Sequence, residues 1–379
     1  MTKNIIHQLS LVGIGGVQQS FVPYLKMVLK YSSFKHSVYG MYELDENYND
    51  IQKYYTNVNS SIFNKLKFIY FLYSNKYIVH FYNNLGSSSV NKLLKLIPSS
   101  NIIFHERGTI WNARDEEKEI YQSNASKAKI ILANSHASKI MLIERFGIDE
   151  KKIKVIYNGF LSKKEEFIPK VHSRYSQKFS LGYIGRLDTP KGVHIFIESA
   201  KNLPQYDFFI AGIGAWENKL KKIAEGYKNI YFVGRVKEPL EFISQMDLIV
   251  VPSIREPLGN TIIEAGFCKK AVIASNIDGI PEIIDHNHNG ILLEPKKKLS
   301  VVELPQNAVP IPQVVVNPDS NLLVKAKEID VDELIDCIKE LAQNEMLRNK
   351  YGNNLYDKVI NKFTIESYFE KIESIYGEL

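Results

Sequence analysis

Two glutamates eight positions apart, Glu256 and Glu264, stand in the stretch of the chain where residue types and spacing point most clearly to chemistry. Between them lies Gly259, where a loop is predicted to turn into a helix. A helix amino end favours anions, because its free N–H groups and its dipole are positive there. The pair suits a ligand with a central diphosphate, whose flanking sugars would donate hydroxyl hydrogen bonds to the carboxylates. A metal pair, a glycosidase acid–base pair and two ordinary surface glutamates use the same residue types.

A second stretch, "YIGRLDTPKG" (residues 183–192), carries two cations in a predicted strand–loop–helix turn. Loops at the carboxyl ends of parallel strands line the ligand site of open α/β sheets. Arg186 could form a forked contact with a diphosphate, and Lys191 would add a second positive charge. The glycine turn at residues 13–16 is a weaker phosphate signal. Gln18 occupies the third glycine position of the dinucleotide pattern, which argues against an NAD-dependent dehydrogenase.

Short apolar runs alternate with helical patterns along the chain, which indicates doubly wound α/β domains. Predicted strands cover residues 4–9, 77–81, 102–105, 130–133, 154–157, 179–184, 206–211, 230–233, 248–251 and 271–274. Predicted helices cover residues 17–30, 193–201 and 217–225, and another starts near residue 331. We predict an amino-terminal domain (1–160), a linker (161–178), a second domain (179–360) and a carboxyl-terminal helix (361–379).

A proline- and valine-rich segment, residues 296–328, interrupts the second pattern. A structureless loop of that length is unusual in a compact domain, so we predict an extended hairpin or flap. Such a segment is either a surface excursion or a contact with a second copy or another partner. The sequence "DVD" (residues 330–332) resembles a metal-binding aspartate pair. It stands at the start of a helical pattern, so Asp330 is predicted to be the N-cap of a helix.

Composition and charge point to a globular protein with an anion-attracting first half. Of the residues, 45% are hydrophobic and 24% are charged, as in an ordinary globular protein. The two cysteines are too few for a disulfide framework or a cysteine metal site, and we expect both to be reduced in the cytoplasm. The start of the chain reads as a first strand and not as a signal peptide. Residues 1–160 carry a net charge of +8, and residues 51–105 contain no acid. This positive charge suits an anionic membrane surface, on which residues 62–75 could lie. Packing in the protein core explains the apolar residues of that segment equally well. No nucleic-acid-binding module is recognisable.

A set of ordered motifs then gives a resemblance that covers nearly the whole chain. The motifs include "HERG" (105–108), "VIYNG" (155–159), "GRLDTPKG" (185–192), "FVGRV" (232–236), "EPLGN" (256–260) and "DGIPEII" (278–284). The chain thereby resembles the retaining nucleotide-sugar glycosyltransferases of family 4, which have the GT-B fold. That resemblance implies two Rossmann-like domains facing across a cleft: an acceptor-binding domain (1–160) and a nucleotide-sugar-binding domain (179–360). It also implies that the carboxyl-terminal helix (361–379) packs on the first domain.

The resemblance also implies roles for individual residues. Arg186 and Lys191 match the pair that holds the donor diphosphate and stabilises the leaving group. Glu264 matches the glutamate that binds the ribose hydroxyls, and Glu256 matches the one that contacts the transferred sugar. His105 matches the histidine near the sugar, and we expect it to be catalytic together with Arg186, Lys191 and Glu256. The remaining matched positions are expected donor contacts: Gly16, Arg235, Val236, Leu258, Gly259 and Asn260. Of these, Gly16 is expected near the phosphate, and Arg235 and Val236 at the nucleobase.

The implied activity is transfer of a sugar, with retained configuration, from a nucleotide diphosphate sugar to a glycan or lipid-linked acceptor in bacterial surface polysaccharide synthesis. UDP is the expected nucleotide, and no metal or other cofactor is expected. A non-catalytic nucleotide- or glycan-binding protein of the same fold is the alternative. The chain departs from the family pattern at Leu258, at Lys270, at Asp278 (where glycine is frequent) and in the 296–328 insertion, through which an oligomer could form.

Overall fold

The computed structural model describes residues 3–13, 15–97, 101–160, 175, 177–300, 305 and 307–379. The chain divides into two compact units. The first unit contains Met1–Lys163 and Phe363–Leu379, and the second contains Lys164–Lys362. Most of the predicted linker, residues 161–178, lies outside the described residues.

The first unit is built on a seven-stranded parallel sheet in the order β3-β2-β1-β4-β5-β6-β7. Its strands are β1 (Asn4–Gln8), β2 (Lys35–Gly40), β3 (Tyr55–Asn57), β4 (Tyr77–Tyr82), β5 (Ile102–Glu106), β6 (Ile130–Ala133) and β7 (Ile153–Val155). Its helices before the crossover to the second unit are α1 (Gly16–Tyr31), α2 (Ile62–Tyr73), α3 (Ser88–Lys95), α4 (Lys118–Lys127) and α5 (His136–Ile140). The order reverses between β1 and β4, which is the switch point of a doubly wound sheet.

The last helix of the chain, α12 (Ile365–Glu378), belongs to the first unit. Its buried side chains recur at helical spacing: Ile365, Tyr368, Ile372, Ile375 and Tyr376. They join the core that α1 and the sheet form. Full burial of an apolar side chain stabilises a fold by about 1.5–3 kcal/mol, so this stripe anchors the helix on the first unit, as predicted.

The second unit repeats the architecture with a six-stranded parallel sheet in the order β10-β9-β8-β11-β12-β13. Its strands are β8 (Ser180–Ile184), β9 (Asp207–Ala211), β10 (Ile230–Gly234), β11 (Leu248–Val251), β12 (Val272–Ser275) and β13 (Ile291–Leu293). Its helices are α6 (Val193–Lys201), α7 (Glu217–Ile223), α8 (Pro239–Ser244), α9 (Asn260–Phe267), α10 (Val331–Gln343) and α11 (Glu345–Lys362). The switch point of this sheet lies between β8 and β11.

The 296–328 insertion contains an antiparallel hairpin of β14 (Val314–Asn317) and β15 (Leu322–Lys325), so the hairpin prediction is confirmed. Val315 and Val316 are buried, whereas Leu322 and Val324 are exposed. The prediction for Asp330 is also confirmed, because its side chain accepts a hydrogen bond from Asp332 N at the start of α10.

Two findings bear on membranes and disulfides. In the described part of the chain, no helix combines the length and apolar character needed to cross a bilayer. Cys268 and Cys337 are both free thiols.

Candidate functional site

Two loops meet at the switch point of the second sheet. The β8 loop (residues 185–192) links β8 to α6, and the β11 loop (residues 252–259) links β11 to α9. The carbonyl of Pro190 accepts hydrogen bonds from Ile254 N (2.9 Å) and Arg255 N (3.2 Å). Gly192 has φ 66°, and a Cβ there would lie 1.9 Å from the Pro252 carbonyl oxygen. Only glycine permits this close approach, which brings the two loops together.

The cation of one loop and a carboxylate of the other form an ion pair at this junction. Lys191 Nζ lies 2.6 Å from Glu256 Oε2. Ser253 Oγ donates a second hydrogen bond to the same oxygen, at 3.1 Å. Two residues separated by 65 positions in sequence are thus in direct contact, and an arriving anion would compete with Glu256 for the lysine.

Arg186 lies in the same loop and remains open to an anion. Its side chain is 62% exposed, and Nη1 lies 3.3 Å from Asp188 Oδ2. The Tyr183 hydroxyl donates to the Arg186 carbonyl (2.9 Å) and fixes the backbone of the loop. The guanidinium therefore has N–H groups free for a planar oxyanion such as phosphate.

The amino end of α9 lies at the carboxyl end of β8. Gly259 is the N-cap with φ 108°, a left-handed conformation that suits glycine, and Leu258 beside it is buried. Thr261 Oγ1 donates to the Ile184 carbonyl at 3.3 Å, which ties the helix start to the strand that precedes Arg186. Asn260 is the first helical residue. The positive end of this helix is thus held beside the two cations, as an anion site requires.

Glu264 lies one helical turn into α9 and is half-buried. Burial raises the pKa of its carboxyl to about 7. Within the described residues, this carboxyl has no hydrogen-bond or ion-pair partner. The carboxylate is therefore available to accept hydrogen bonds from hydroxyl donors of a ligand.

Arg235 and Val236 follow β10, at the same carboxyl edge of the second sheet but two strands away from β8. Arg235 is exposed. Gly234 takes φ 76° before it, and Gly234 O accepts a hydrogen bond from Gly212 N at 2.7 Å. This turn leaves the Arg235 side chain and the nearby backbone accessible to a planar group.

The predicted residues of the first unit lie near the switch point of its own sheet. Gly16 is exposed and begins α1, directly after β1 and its glycine turn. His105 lies on β5 and is only 1% exposed. Neither ring nitrogen of His105 has a hydrogen-bond partner in the described part of the chain. Burial, with a smaller contribution from Arg107, lowers its pKa well below 6.5, so the imidazole is neutral at pH 7.

His105 ends a row of four buried histidines on adjacent strands: His36, His7, His80 and His105. His7 Nε2 and His36 Nδ1 are 2.9 Å apart, and the rings of His80 and His105 stack at 5.4 Å. Burial lowers the pKa of each of the four. The row is therefore an uncharged layer of the first sheet, in which a hydrogen bond joins His7 to His36 and ring stacking joins His80 to His105.

Four further residues organise the backbone or side chains near the two switch points, although none was assigned a role from the sequence. Asp278 accepts the backbone N–H of Glu256 at 2.9 Å. Arg255 is buried beside it; burial lowers its pKa, and the Glu256 and Asp278 carboxylates oppose that shift. Arg107 donates to Asn158 Oδ1 (2.7 Å) in the first unit. The available signals were the "DG" turn for Asp278 and the motifs "HERG" and "VIYNG" for Arg107 and Asn158.

The described residues contain no group of three or more His, Cys, Asp or Glu side chains that could hold a metal ion. The groups gathered at the second switch point are Arg186, Lys191, Glu256, Glu264 and the start of α9. Together they can bind a diphosphate and accept hydrogen bonds from hydroxyls.

Part of the chain matches a known protein family. Residues 164–304 match the family described as Glycosyl transferases group 1. The capsular polysaccharide biosynthesis glycosyltransferase CapM of Staphylococcus aureus is 24% identical over 270 residues, which cover 69% of this chain and 59% of that protein. The poly(ribitol-phosphate) alpha-N-acetylglucosaminyltransferase of S. aureus (strain COL) is 23% identical, over 70% of this chain and 48% of that protein. The chain thus spans about half to three-fifths of the length of these relatives.

Solved structures extend the likeness to the whole chain. HepE of Anabaena, in complex with UDP-glucose, superposes with a TM-score of 0.76 at 18% identity and covers 99% of this chain and 100% of that chain. Sucrose-phosphate synthase from Thermosynechococcus elongatus superposes with a TM-score of 0.75 at 17% identity, over 99% of this chain and 98% of that chain. At these identities the likeness shows the fold, and the predicted GT-B class with two Rossmann-like domains is confirmed.

Proposed function

Since residues 164–304 match the family described as Glycosyl transferases group 1, we propose that this chain transfers a sugar from a nucleotide diphosphate sugar to an acceptor hydroxyl. The reaction retains the anomeric configuration, requires no metal and uses UDP as the carrier nucleotide. The acceptor is a glycan or a lipid-linked glycan of a bacterial surface polysaccharide, such as capsule or lipopolysaccharide. The relative CapM, a capsular polysaccharide biosynthesis glycosyltransferase, supports the choice of acceptor. The UDP-glucose bound to HepE supports the choice of nucleotide.

The observation that carries the proposal is the convergence of charges at the second switch point. Arg186, Lys191 and the amino end of α9 offer positive charge at one place, and Glu256 and Glu264 supply acceptors on either side. A nucleotide sugar has a diphosphate between two hydroxyl-bearing rings, which matches this alternation of charge.

The chemistry assigned to these residues is stabilisation of the leaving group. The bond between the anomeric carbon and the donor phosphate oxygen breaks, and a bond to the acceptor oxygen forms on the same face. The departing phosphate oxygen takes the acceptor proton, and Arg186 and Lys191 stabilise the charge that grows on the diphosphate. Glu256 orients the transferred sugar, and Glu264 holds the ribose. The sugar and phosphate contacts that the resemblance gives to His105 and Gly16 stay predictions.

Turnover of a panel of donors tests this function. With UDP-, GDP- and ADP-sugars supplied in turn, we expect release of nucleoside diphosphate from a UDP-sugar. The rate should be the same with and without EDTA, because protein cations and a helix end neutralise the leaving group. Saturable binding without hydrolysis or transfer would favour the non-catalytic alternative. Loss of turnover in EDTA that is restored by Mg²⁺ would contradict metal independence.

We also propose that the chain works in the cytoplasm, on the inner face of a membrane, and that α2 contacts anionic lipid. Large apolar side chains on this helix are 48% to 72% exposed: Ile62, Phe63, Leu66, Tyr70 and Tyr73. Exposed lysines flank them, among them Lys65, Lys67 and Lys76. Apolar side chains with a basic border suit the headgroup region of an anionic bilayer.

Sedimentation with lipid vesicles tests the α2 contact. We expect the wild type to sediment with vesicles that contain phosphatidylglycerol and not with pure phosphatidylcholine. Each lysine near an anionic surface contributes about 1 kcal/mol, so Lys65→Gln with Lys67→Gln should weaken binding about thirtyfold. The matched control, Lys228→Gln with Lys350→Gln, makes the same charge change on the second unit and should bind as the wild type does. Equal weakening in both double variants would contradict a specific role for α2.

The exposed Leu322 and Val324 on the hairpin support a second proposal for the insertion, namely contact with another copy of the chain. A chain that stays monomeric at all concentrations in light scattering would contradict it.

A further inference from the structure

The insertion is hydrogen-bonded to the loop that carries Glu256 through one carboxylate, that of Asp278. Asp278 N donates to the Val316 carbonyl at 3.0 Å, and Val316 N donates to Asp278 Oδ1 at 2.7 Å. Asp278 lies in the turn after β12, and it hydrogen-bonds both backbone groups of Val316 in β14 through its own N–H and its carboxylate. The hairpin is thereby fastened to this turn.

The other oxygen of Asp278 faces the candidate site. Glu256 N donates to Asp278 Oδ2 at 2.9 Å, and Gly279 N donates to the Glu256 carbonyl at 3.1 Å. Asp278 is 2% exposed and has φ 48°, so it is a buried residue in a conformation that few side chains adopt. Its two oxygens bind two N–H groups that lie in different segments of the chain.

A second carboxylate fastens the base of the insertion beside the other loop. Glu328 Oε1 lies 2.8 Å from His194 Nε2, and Glu328 Oε2 accepts Ser300 N at 3.0 Å. His194 lies in the first turn of α6, three residues after Lys191. The insertion is thus anchored next to both loops of the switch point.

We propose that Asp278 is a positioning residue that couples the insertion to the donor site. It holds β14 with one oxygen and the Glu256 backbone with the other, so the docked hairpin fixes where Glu256 lies. This inference rests on the proposed function, in which Glu256 contacts the transferred sugar. The insertion thereby holds the sugar end of the site in place, and the start of α9 has an anchor of its own in the Thr261–Ile184 hydrogen bond.

Only a carboxylate at position 278 can accept both hydrogen bonds, the one from Val316 N and the one from Glu256 N. An ionised carboxylate offers acceptors to both N–H groups, whereas an asparagine amide offers one acceptor and turns donor hydrogens toward the other N–H. Asparagine and glycine both tolerate the left-handed backbone conformation. Substitution by either one therefore removes hydrogen bonds without adding backbone strain.

Kinetics of Asp278→Asn and Asp278→Gly test the proposal against Asp319→Asn, which makes the same acid-to-amide change on the exposed turn of the hairpin. A displacement of about 1 Å at a reacting group can cost up to about 100-fold, so we expect both Asp278 variants to lower kcat at least about tenfold. The Kd for UDP should stay within about threefold of the wild-type value, which corresponds to less than 1 kcal/mol. Asp319→Asn should leave both quantities unchanged.

Amide hydrogen exchange supplies a readout that does not depend on activity. In Asp278→Asn, the peptides that contain Glu256 and residues 314–317 should exchange faster together, and β8 should keep its wild-type rate. Faster exchange in only one of the two segments would overturn the coupling. So would wild-type kcat in both variants, or equal losses of kcat and UDP affinity. A wild type that transfers no sugar would instead refute the proposed function, and the exchange result would still decide the coupling.

Discussion

Replacement of Lys191 by alanine is expected to lower kcat about 10²- to 10³-fold, the loss seen when one group that stabilises transition-state charge is removed. Lys191 Nζ lies 2.6 Å from Glu256 Oε2, so its charge is held at the point where the diphosphate is proposed to leave. Negative charge on that diphosphate grows as the glycosidic bond breaks. The lysine therefore stabilises the transition state more than the bound donor, and kcat should fall more than KM rises.

The chain offers a closely matched control in Lys201. This lysine also forms a 2.7 Å pair with a glutamate, Glu198, and its side chain is 21% exposed, as is that of Lys191. It lies at the far end of α6, away from the switch point. Lys201→Ala should keep wild-type kcat, and melting curves should show both variants folded. A Lys191→Ala enzyme with kcat within about twofold of the wild type would refute the leaving-group role, since the expected loss is at least 10²-fold.

Much of the fold could be predicted because buried parallel strands appear in a sequence as short apolar runs between helical patterns. The strands around both switch points, such as β8 and β11, have this pattern and were predicted within one residue. The loops after them could then be assigned to the ligand edge without knowledge of their contacts. Strand β2 was missed because "KHSVYG" is mostly polar, and β3 and β13 were missed because each has only three residues.

The contacts that organise the site could not be predicted, because they join residues far apart in sequence. Glu256 meets Lys191 across 65 positions, and Asp278 meets Val316 across 38. Nothing local to the "DG" turn indicates that its carboxylate faces two other segments. For α2 the sequence left two interpretations open, contact with a membrane and packing in the core. Its apolar residues cover most of the helix circumference, and only the structure shows that five large ones are exposed.

The second large effect is expected at Glu264. Its carboxyl is half-buried, burial raises its pKa to about 7, and no described residue donates a hydrogen bond to it. Ribose hydroxyls would supply those donors. Hydrogen bonds to charged groups contribute about 1.5–3 kcal/mol, so Glu264→Ala should weaken UDP binding about 10- to 150-fold.

Glu256 is expected to behave differently, although it is the same residue type at the other end of the same stretch. It already accepts hydrogen bonds from Lys191 and Ser253. Glu256→Ala frees Lys191 for the diphosphate, so the affinity for free UDP should stay within about threefold of wild type while sugar transfer slows. The loss in kcat reports the missing contact with the transferred sugar.

Calorimetric titration of UDP into the wild type, Glu264→Ala and Glu256→Ala therefore tests the central claim most directly. The claim is that the diphosphate sits at the start of α9, with the ribose on Glu264 and the transferred sugar on Glu256. It predicts saturable binding to the wild type, a loss of at least about tenfold in Glu264→Ala and near wild-type affinity in Glu256→Ala. Absence of UDP binding to the wild type, or equal loss of affinity in both variants, would contradict it.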